Sequence, residues 1–376
     1  MKESGIMIKP NKLKRGDKIA IVSLSRGLIG NPKVKHELDI AIKRLNNYGF
    51  EVEIMPNAMK SFEYLLKHPE ARAQDLKDAF KDDSIKGIIT AIGGFDTFRT
   101  YEYLMNDLEF INNVKNNPKV FMGFSDTTMN HLMFYRLGLT TFYGPAIVTD
   151  FAELDNEMLP YTKSYFELLL EDTENYEIKS SPVWYSDRES YDVDQIGTSR
   201  IIHDEVHGYE ALNGGGISDG ILYGGCIDSF YNAYTGARFN GDFDYEPEMV
   251  NKYNILPTDE EYKKMILFFE TSQLRPTPEE FKEYLMEFKR RNILQLARGI
   301  LFGKPINEQY YEEYKEVIKE VFKDIDTPVL YNLNFGHSYP RCIIPYGLHV
   351  TVDFDNKKII VDEPIVNTLN YLNKKK

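Results

Sequence analysis

Apolar and polar residues alternate with two different periods along the first 150 residues, and this pattern predicts most of the local structure. Short β-branched runs, KIAIVSLS at residues 18–25 and KGIITAIGG at residues 86–94, are typical of buried strands. Between them, HELDIAIKRLNNYGF repeats apolar residues at helical spacing and ends near a glycine. Strands that alternate with helices in this way predict a mostly parallel sheet of the flavodoxin or Rossmann type.

The alternation stops between residues 172 and 204, where the chain is polar and carries its only tryptophan, Trp184. Further apolar runs separated by helical stretches follow, and the tail LHVTVDFDNKKIIVDEPIV predicts a hairpin that turns at Asp355–Asn356. We therefore predict an α/β protein of two domains. The N-terminal α/β domain covers residues 1–171, a linker or long loop covers 172–204, and a C-terminal α/β domain covers 205–376.

Composition and charge narrow the class of protein. The formal net charge of −13 argues against a surface that tracks a nucleic acid polymer, since such surfaces need clustered positive charge. The N-terminus has no apolar core of signal-peptide length, and no segment has the apolar length of a membrane span. The two cysteines, Cys226 and Cys342, do not form a metal-ligand pattern and predict two buried thiols. We expect a cytoplasmic protein that does not bind a membrane.

The segment KVFMGFSDTTMNHLMFY changes from a strand pattern to a helix pattern around Ser125. A serine at such a turn is exposed, and the backbone N–H groups at the start of the helix can stabilise an oxyanion. Gly123 permits the close chain approach that a sharp turn needs. The sequence G-F-S-D-T lacks the second glycine of the G-x-S-x-G signature, and an N-cap role for Ser125 is the alternative.

A nucleophilic serine needs a base and an orienting carboxylate, and one residue of each kind also follows a predicted strand. His337 lies just past the run PVLYNLN, and Glu270 closes the run MILFFE. A salt bridge or a cap is the alternative role for Glu270. His203 and His207 have the spacing of a helical zinc pair, but their flanks do not read as a helix, which favours a solvated strand or loop.

A diglycine, Gly93–Gly94, ends the strand that precedes the strand leading to Ser125. It can bring a backbone N–H close to a substrate carbonyl. A phosphate-binding loop is the competing interpretation, but GGFDTF lacks both the G-x-G-x-x-G spacing and a P-loop lysine.

Several blocks, in order, resemble the serine peptidase family that comprises the LD-carboxypeptidases (muramoyltetrapeptide carboxypeptidases) and the microcin C immunity peptidases. These blocks are LKRGDKIAIVSLS, RAQDLKDAFKDDSIKGIITAIGG, VFMGFSDTTMNHLMFYRLGLTTFYGPA, LYGGCIDSF, ILFFETS and NFGHSYPRCIIPYG. The resemblance covers nearly the whole chain.

The resemblance implies an active site between two domains, with Ser125, His337 and Glu270 as a catalytic triad. It implies an oxyanion hole formed by the backbone N–H groups of Asp126 and Gly94. It also implies a homodimer and a reaction that needs neither a metal nor an organic cofactor.

The family has two substrate classes, murein peptides and aminoacyl nucleotides. Trp184 resembles the tryptophan of the immunity branch, which stacks on a base, and Arg275 is a candidate phosphate contact; an anchoring role for the Trp184 loop is the alternative. The chain departs from the family pattern where Cys226 replaces a common asparagine and where GGFDTFRTYEYL lacks one. A non-catalytic protein that binds a small ligand and keeps the fold is the alternative function.

Overall fold

Parallel strands and helices alternate through the N-terminal part of the protein, as the sequence pattern predicts. The structure is a computed structural model that describes residues 7–237 and 242–367. Its strands run as follows: β1 (Lys18–Val22), β2 (Glu51–Ile54), β3 (Ile85–Thr90), β4 (Val120–Gly123), β5 (Phe142–Tyr143), β6 (Tyr176–Glu177), β7 (Val183–Tyr185), β8 (Ile202–Asp204), β9 (Glu210–Asn213), β10 (Ile217–Cys226), β11 (Met265–Glu270), β12 (Gly299–Gly303), β13 (Val329–Leu333), β14 (Ile344–Pro345), β15 (His349–Asp353) and β16 (Lys358–Val361).

The helices connect these strands and pack against the two main sheets. They run as follows: α1 (Lys35–Asn47), α2 (Phe62–Lys67), α3 (Pro69–Lys81), α4 (Tyr101–Leu104), α5 (Leu108–Asn116), α6 (Thr127–Leu137), α7 (Pro160–Glu167), α8 (Ile227–Thr235), α9 (Glu246–Lys252), α10 (Asp259–Tyr262), α11 (Pro278–Arg290), α12 (Ile293–Leu296) and α13 (Tyr311–Phe322). The start of α11 follows from its sequence: Thr277 and Glu280 form a capping box, and Pro278 lies in the first turn.

The first sheet has the strand order β14-β5-β4-β3-β1-β2. Strands β1 to β5 pair in parallel, which confirms the predicted class of the N-terminal sheet. The edge strand β14 comes from the far end of the chain and pairs antiparallel with β5. The carboxyl ends of β3 and β4 therefore lie side by side, and they carry the diglycine and Ser125.

The second sheet has the strand order β6-β16-β15-β10-β11-β12-β13-β9. Its centre, β10 to β13, is parallel, while β9, β15, β16 and β6 pair antiparallel around it. Strands β11 and β12 are buried along their whole length, in keeping with their unbroken apolar runs. The antiparallel hairpin of β15 and β16 confirms the predicted turn at Asp355–Asn356.

After the diglycine, the chain forms a 3-10 turn, Thr97–Thr100, that continues as the short α4. One stretch differs from the local predictions. The segment expected as a linker or loop contains β6, which joins the second sheet, and β7, which forms a separate hairpin with β8. The domain boundaries at 171 and 205 stay a prediction. Within the described residues, no helix combines the length and the apolar character needed to cross a membrane.

Candidate active site

The turn between β4 and α6 presents Ser125 in a conformation that few non-glycine residues adopt. Its φ is 66°, in the left-handed region, where a side chain is strained. The turn can be this tight because Gly123 has no side chain: a Cβ there would lie 2.1 Å from Thr90 Oγ1. The Thr128 hydroxyl donates to the Ser125 carbonyl at 2.6 Å and holds the first turn of α6. Ser125 is thus part of a strand-to-helix elbow rather than a simple N-cap.

His131 supports this elbow from behind. It lies in α6, is fully buried, and its ring nitrogens contact Gly123 O at 2.9 Å and Thr141 Oγ1 at 2.8 Å. Burial lowers its pKa to about 3, so the ring is neutral at physiological pH. These contacts give His131 a structural role behind the elbow.

His337 joins the nucleophile to the acid. It follows β13, and its Nε2 lies 3.0 Å from Ser125 Oγ. Its Nδ1 lies 2.8 Å and 3.1 Å from the two carboxylate oxygens of Glu270, and its backbone N–H donates to the same carboxylate at 3.1 Å. The turn brings His337 this close because Gly336, with φ 78°, leaves room where a Cβ would lie 2.2 Å from Glu270 Cγ.

Tyr143, at the end of β5, connects the nucleophile and the acid by a second route. Its hydroxyl donates to Glu270 Oε1 at 2.5 Å and accepts the Ser125 backbone N–H at 3.1 Å. Burial, together with the negative charge of Glu270, raises the pKa of Tyr143 well above its usual value, so the hydroxyl stays protonated and available as a donor. Sequence patterns do not single out Tyr143, since a tyrosine in a short apolar strand is typical of a core residue.

Aromatic and cationic side chains pack around the imidazole. The Phe124 ring meets the His337 ring edge to face, with centroids 4.9 Å apart. The Arg341 guanidinium lies 4.3 Å from the Phe124 ring centroid and pairs with the buried Asp150 at 2.8 Å. These contacts restrict the rotation of the imidazole and therefore fix which nitrogen faces the serine.

The backbone of the diglycine loop packs directly against Ser125. A Cβ on Gly93 would lie 2.6 Å from Ser125 Cβ and 3.1 Å from the backbone nitrogen of Asp126. The Thr97 backbone N–H donates to the Asp126 carboxylate at 2.9 Å, which ties the diglycine loop to the elbow. Gly94 is the next residue and has φ 157°. The oxyanion-hole roles of Gly94 and Asp126 stay predictions, and the close approach of the two loops is compatible with them.

A cavity of about 310 Å³ opens beside His337. Its walls combine apolar or aromatic side chains with charged or polar ones in nearly equal number; they are formed by Arg26, Leu28, Val34, Glu37, Ile92, Phe124, Val148, Thr149, Asp187, Tyr191, Gln273, Ile306, His337, Tyr339 and Arg341. Both main units of the fold contribute to these walls. A cavity of this size and lining, next to a serine, a histidine and a carboxylate, is the natural position for a substrate.

The structure does not bring Trp184 and Arg275 into the cavity lining. The Trp184 side chain is 9% exposed and stacks on His203, with ring centroids 3.9 Å apart, so little of the indole is open to a base. Arg275 contacts Gln309 at 3.1 Å and lies 3.8 Å from Asp187, which does line the cavity. Arg275 therefore contacts a residue of the cavity wall, Asp187, but is not itself part of the wall. The substrate contacts predicted for Trp184 and Arg275 stay predictions.

The histidine pair of HDEVH does not lie on a helix. His203 belongs to β8 and contacts Ser186 Oγ at 2.8 Å, while His207 follows the strand and stacks on Tyr311. Among the described residues, one group of potential metal ligands lies within 4.8 Å of one another, namely Cys226, Glu270 and His337. Two of its members already hydrogen-bond to each other and the third is a buried thiol.

Two protein-family models match the chain. The model of the LD-carboxypeptidase N-terminal domain matches residues 19–144, and the model of the LD-carboxypeptidase C-terminal domain matches residues 219–352. The chain belongs to the LD-carboxypeptidase family. The two matches correspond to the two main sheets, so the family assignment, the two-domain α/β fold and the resemblance of the sequence blocks all agree.

Relatives in both branches of the LD-carboxypeptidase family cover most of the chain. The putative carboxypeptidase YocD of Bacillus subtilis is 29% identical over 90% of this chain and 93% of its own length. The microcin C7 self-immunity protein MccF of Escherichia coli is 25% identical over 79% of each chain. A solved structure, an MccF-like protein from Streptococcus pneumoniae in complex with AMP, is 40% identical, has a TM-score of 0.87 and covers 93% of this chain and 99% of its own. These relatives support a hydrolase of the peptidase class.

Proposed function

We propose that the protein is a serine peptidase that hydrolyses an amide bond through Ser125, His337 and Glu270. The observation that carries this proposal is the continuous contact from Ser125 Oγ to His337 Nε2 at 3.0 Å and from His337 Nδ1 to Glu270 at 2.8 Å. This is the arrangement that activates a serine, since the histidine can take the hydroxyl proton while the carboxylate orients the imidazole.

In the proposed reaction, each of these groups has a defined role. His337 Nε2 accepts the proton of Ser125 as Oγ attacks the amide carbonyl, and the imidazolium that forms is stabilised by Glu270. The developing oxyanion lies between the backbone N–H groups of Asp126 and Gly94. His337 then protonates the leaving amine, and water, activated by the same histidine, releases the acyl group from Ser125. Tyr143 keeps the Glu270 carboxylate in place throughout by its hydrogen bond of 2.5 Å.

For the substrate, we propose an aminoacyl nucleotide as the first class and a murein peptide as the second. The first is favoured because the relative from Streptococcus pneumoniae, 40% identical, is described in complex with AMP. The cavity walls include Tyr191, whose ring can contact a flat base. The second class is favoured by the carboxypeptidase relatives, YocD among them.

Hydrolysis by purified protein tests the reaction. Wild type and Ser125→Ala are incubated with an aminoacyl sulfamoyl adenosine and with a murein tetrapeptide, and the products are separated and weighed by mass spectrometry. We expect wild type to cleave at least one substrate and Ser125→Ala to cleave neither, with nearly equal melting temperatures. The matched control is Ser164→Ala, an exposed serine on α7 that should retain full activity.

A ligand-binding protein without catalysis is the alternative function. It would be supported if wild type bound both compounds and hydrolysed neither. Efficient release of D-alanine from the tetrapeptide, without turnover of the nucleotide, would instead retain the serine mechanism and reverse the order of the two substrate classes.

The position of a base can be tested with two variants. Trp184→Ala should raise KM for the nucleotide if the Trp184 loop rearranges to stack on the base, whereas Tyr191→Ala should do so if the base lies in the cavity. Arg275→Ala should raise the same KM if its guanidinium reaches the phosphate. The murein tetrapeptide has no base or phosphate, so its KM should change little in Trp184→Ala and Arg275→Ala.

We also propose a homodimer, as the family resemblance implies. Exposed apolar side chains on the segment from Val193 to Val206 offer a surface for it, with Ile201 66% and Val206 78% exposed. Light scattering after size exclusion should give twice the chain mass, and Ile201→Lys should shift the species toward the monomer if this surface is used.

A further inference from the structure

Glu37 is a buried carboxyl whose partner is missing from the described part of the chain. It lies in the first turn of α1, is 5% exposed, and forms part of the cavity wall that also includes His337. Within residues 7–237 and 242–367, it forms neither a hydrogen bond nor an ion pair. Burial alone raises its pKa to about 7, which is the behaviour of a carboxyl without a counter-charge.

The other charged groups of the cavity are already engaged or exposed. Asp187 accepts the Tyr191 hydroxyl at 2.7 Å and lies 3.8 Å from Arg275. Arg341 pairs with Asp150 at 2.8 Å. Arg26 lines the cavity but is exposed to solvent, which solvates its charge. Glu37 therefore differs from each of them, since it is both withdrawn from water and unpaired.

Several kinds of partner can be compared for such a carboxyl. Divalent oxygen-binding cations need six or more oxygen ligands, and among the described residues Glu37 belongs to no group of three potential metal ligands. A neutral donor would leave the carboxylate charge uncompensated. A single ammonium group supplies both a positive charge and hydrogen-bond donors to one carboxylate, and charge-assisted pairs of this kind are the strong ones.

We propose that Glu37 binds the primary ammonium group of the substrate while the reacting amide lies at Ser125. This inference rests on the proposed function, because it assumes that the cavity beside His337 holds the substrate. Both proposed classes can supply the group: an aminoacyl nucleotide carries an α-ammonium, and a peptide stem with a diamino acid carries a side-chain ammonium. The cavity then selects substrates by an amine on the molecule and not only by the bond to be cut.

Binding to Ser125→Ala protein tests the inference without turnover. Calorimetry is run with alanyl sulfamoyl adenosine and its N-acetyl form, and with a murein tetrapeptide containing lysine and its Nε-acetyl form. We expect one free-amine probe to bind ~10–100-fold tighter than its acetylated counterpart, the range of a hydrogen bond to a charged group. The pair that shows this preference identifies the source of the ammonium.

The same titrations are then repeated with Glu37→Gln added, a change that keeps the size of the side chain and removes its charge. The preference for the free amine should disappear. The surface variant Glu313→Gln is the control that should keep it, since Glu313 is exposed on α13. Circular dichroism and melting curves check that each variant folds.

Three results would overturn the inference. The first is an unchanged amine preference in Glu37→Gln, and the second is equal binding of free and acetylated probes in both arms. The third is equal weakening of the free and acetylated nucleotides in Glu37→Ala, which would place the carboxyl against the base instead of an ammonium. Failure of wild type to hydrolyse any free-amine probe would count against the proposed reaction but leave these binding ratios readable.

Discussion

Two groups of polar residues at the cavity differ in how they are satisfied. In the first group, which we call the organised group, His337 contacts Ser125 and Glu270 at 3.0 Å and 2.8 Å, and Tyr143 bonds to both Ser125 and Glu270. The second is Glu37 alone, which lines the same cavity and is buried with no partner among the described residues. The organised group is in place before any ligand arrives, and such preorganisation is what makes hydrogen bonds useful in catalysis. In the proposed complex, Glu37 gains its partner only when a ligand binds.

The difference predicts opposite responses to substitution. Removing a side chain of the organised group breaks contacts that already exist, so activity should fall and stability should not improve. Removing the charge of Glu37 removes a buried, unpaired carboxylate, so the free energy of unfolding should rise while binding of the substrate ammonium weakens. This is the expected trade between stability and function at a binding site.

The largest effect should come from Glu270→Gln. The amide removes the negative charge that stabilises the imidazolium and can present the wrong group to Nδ1. We expect kcat to fall ~10⁴-fold, as for the equivalent change in a serine triad. Steady-state kinetics on the cleaved substrate measure the fall, and a loss below tenfold would show that Glu270 does not orient His337.

The next effect should come from Gly93→Ala at the junction of the diglycine loop and the elbow. The new Cβ would lie 2.6 Å from Ser125 Cβ and 2.9 Å from Oγ, so the serine or the loop must move. A displacement of about 1 Å at a reacting group costs roughly 10²-fold in rate. Kinetics together with a melting curve test this, and an unchanged kcat would mean that the two loops separate during turnover.

Glu37→Gln should stabilise the protein in a pH-dependent way. Because burial raises the pKa of Glu37 from 4.5 to about 7, the folded state keeps a proton that the unfolded state loses, and wild-type stability falls as pH rises through this window. Glutamine does not titrate, so the variant should gain up to ~3 kcal/mol at pH 8, at about 1.4 kcal/mol per pKa unit. The gain should vanish below pH 4.5.

Urea unfolding of both proteins from pH 4.5 to pH 8 measures this difference. Glu313→Gln, exposed on α13, is the control and should show no such dependence. A constant difference between Glu37→Gln and wild type at every pH would mean that the carboxyl is compensated in the folded state.

The smallest effect should come from Tyr143→Phe. The change removes one hydroxyl that accepts from the Ser125 N–H and donates to Glu270, while His337 still holds the carboxylate with two further hydrogen bonds. We expect kcat to fall ~10-fold, the value of about one hydrogen bond, with KM nearly unchanged. An effect on KM alone would place Tyr143 in substrate binding and not in positioning.

The sequence predicts the organised group much better than it predicts Glu37. Glu270 and His337 lie at or just past the ends of two parallel strands of the second sheet, and such ends meet at one edge of a sheet, so their approach follows from local patterns. Ser125 comes from the first sheet, so its approach to His337 depends on how the two sheets pack. Tyr143 also ends a strand, but a tyrosine there is equally typical of a core. Its role depends on contacts with two distant residues, which no local pattern contains.

Glu37 and Trp184 show why recognition is harder to predict. Glu37 lies in HELDIAIKRL, where a glutamate next to an amphipathic stripe indicates a solvated face, yet it is buried and lines the cavity. Trp184 lies in a polar segment that indicates an exposed ring, yet His203 from β8 covers it. The local pattern around each side chain does not contain the information that decides its burial.

The edge strand β14 limits how this protein can be divided. Residues Ile344–Pro345 lie at the far end of the chain yet complete the first sheet, only a few residues after His337 has left the second. A chimera that exchanged the C-terminal half with a distant relative would therefore replace the outermost strand of the N-terminal sheet as well. The N-terminal half expressed alone would end in the bare edge of β5, open to pairing with other chains. The two halves are consequently constrained to change together, and neither can serve as an interchangeable module.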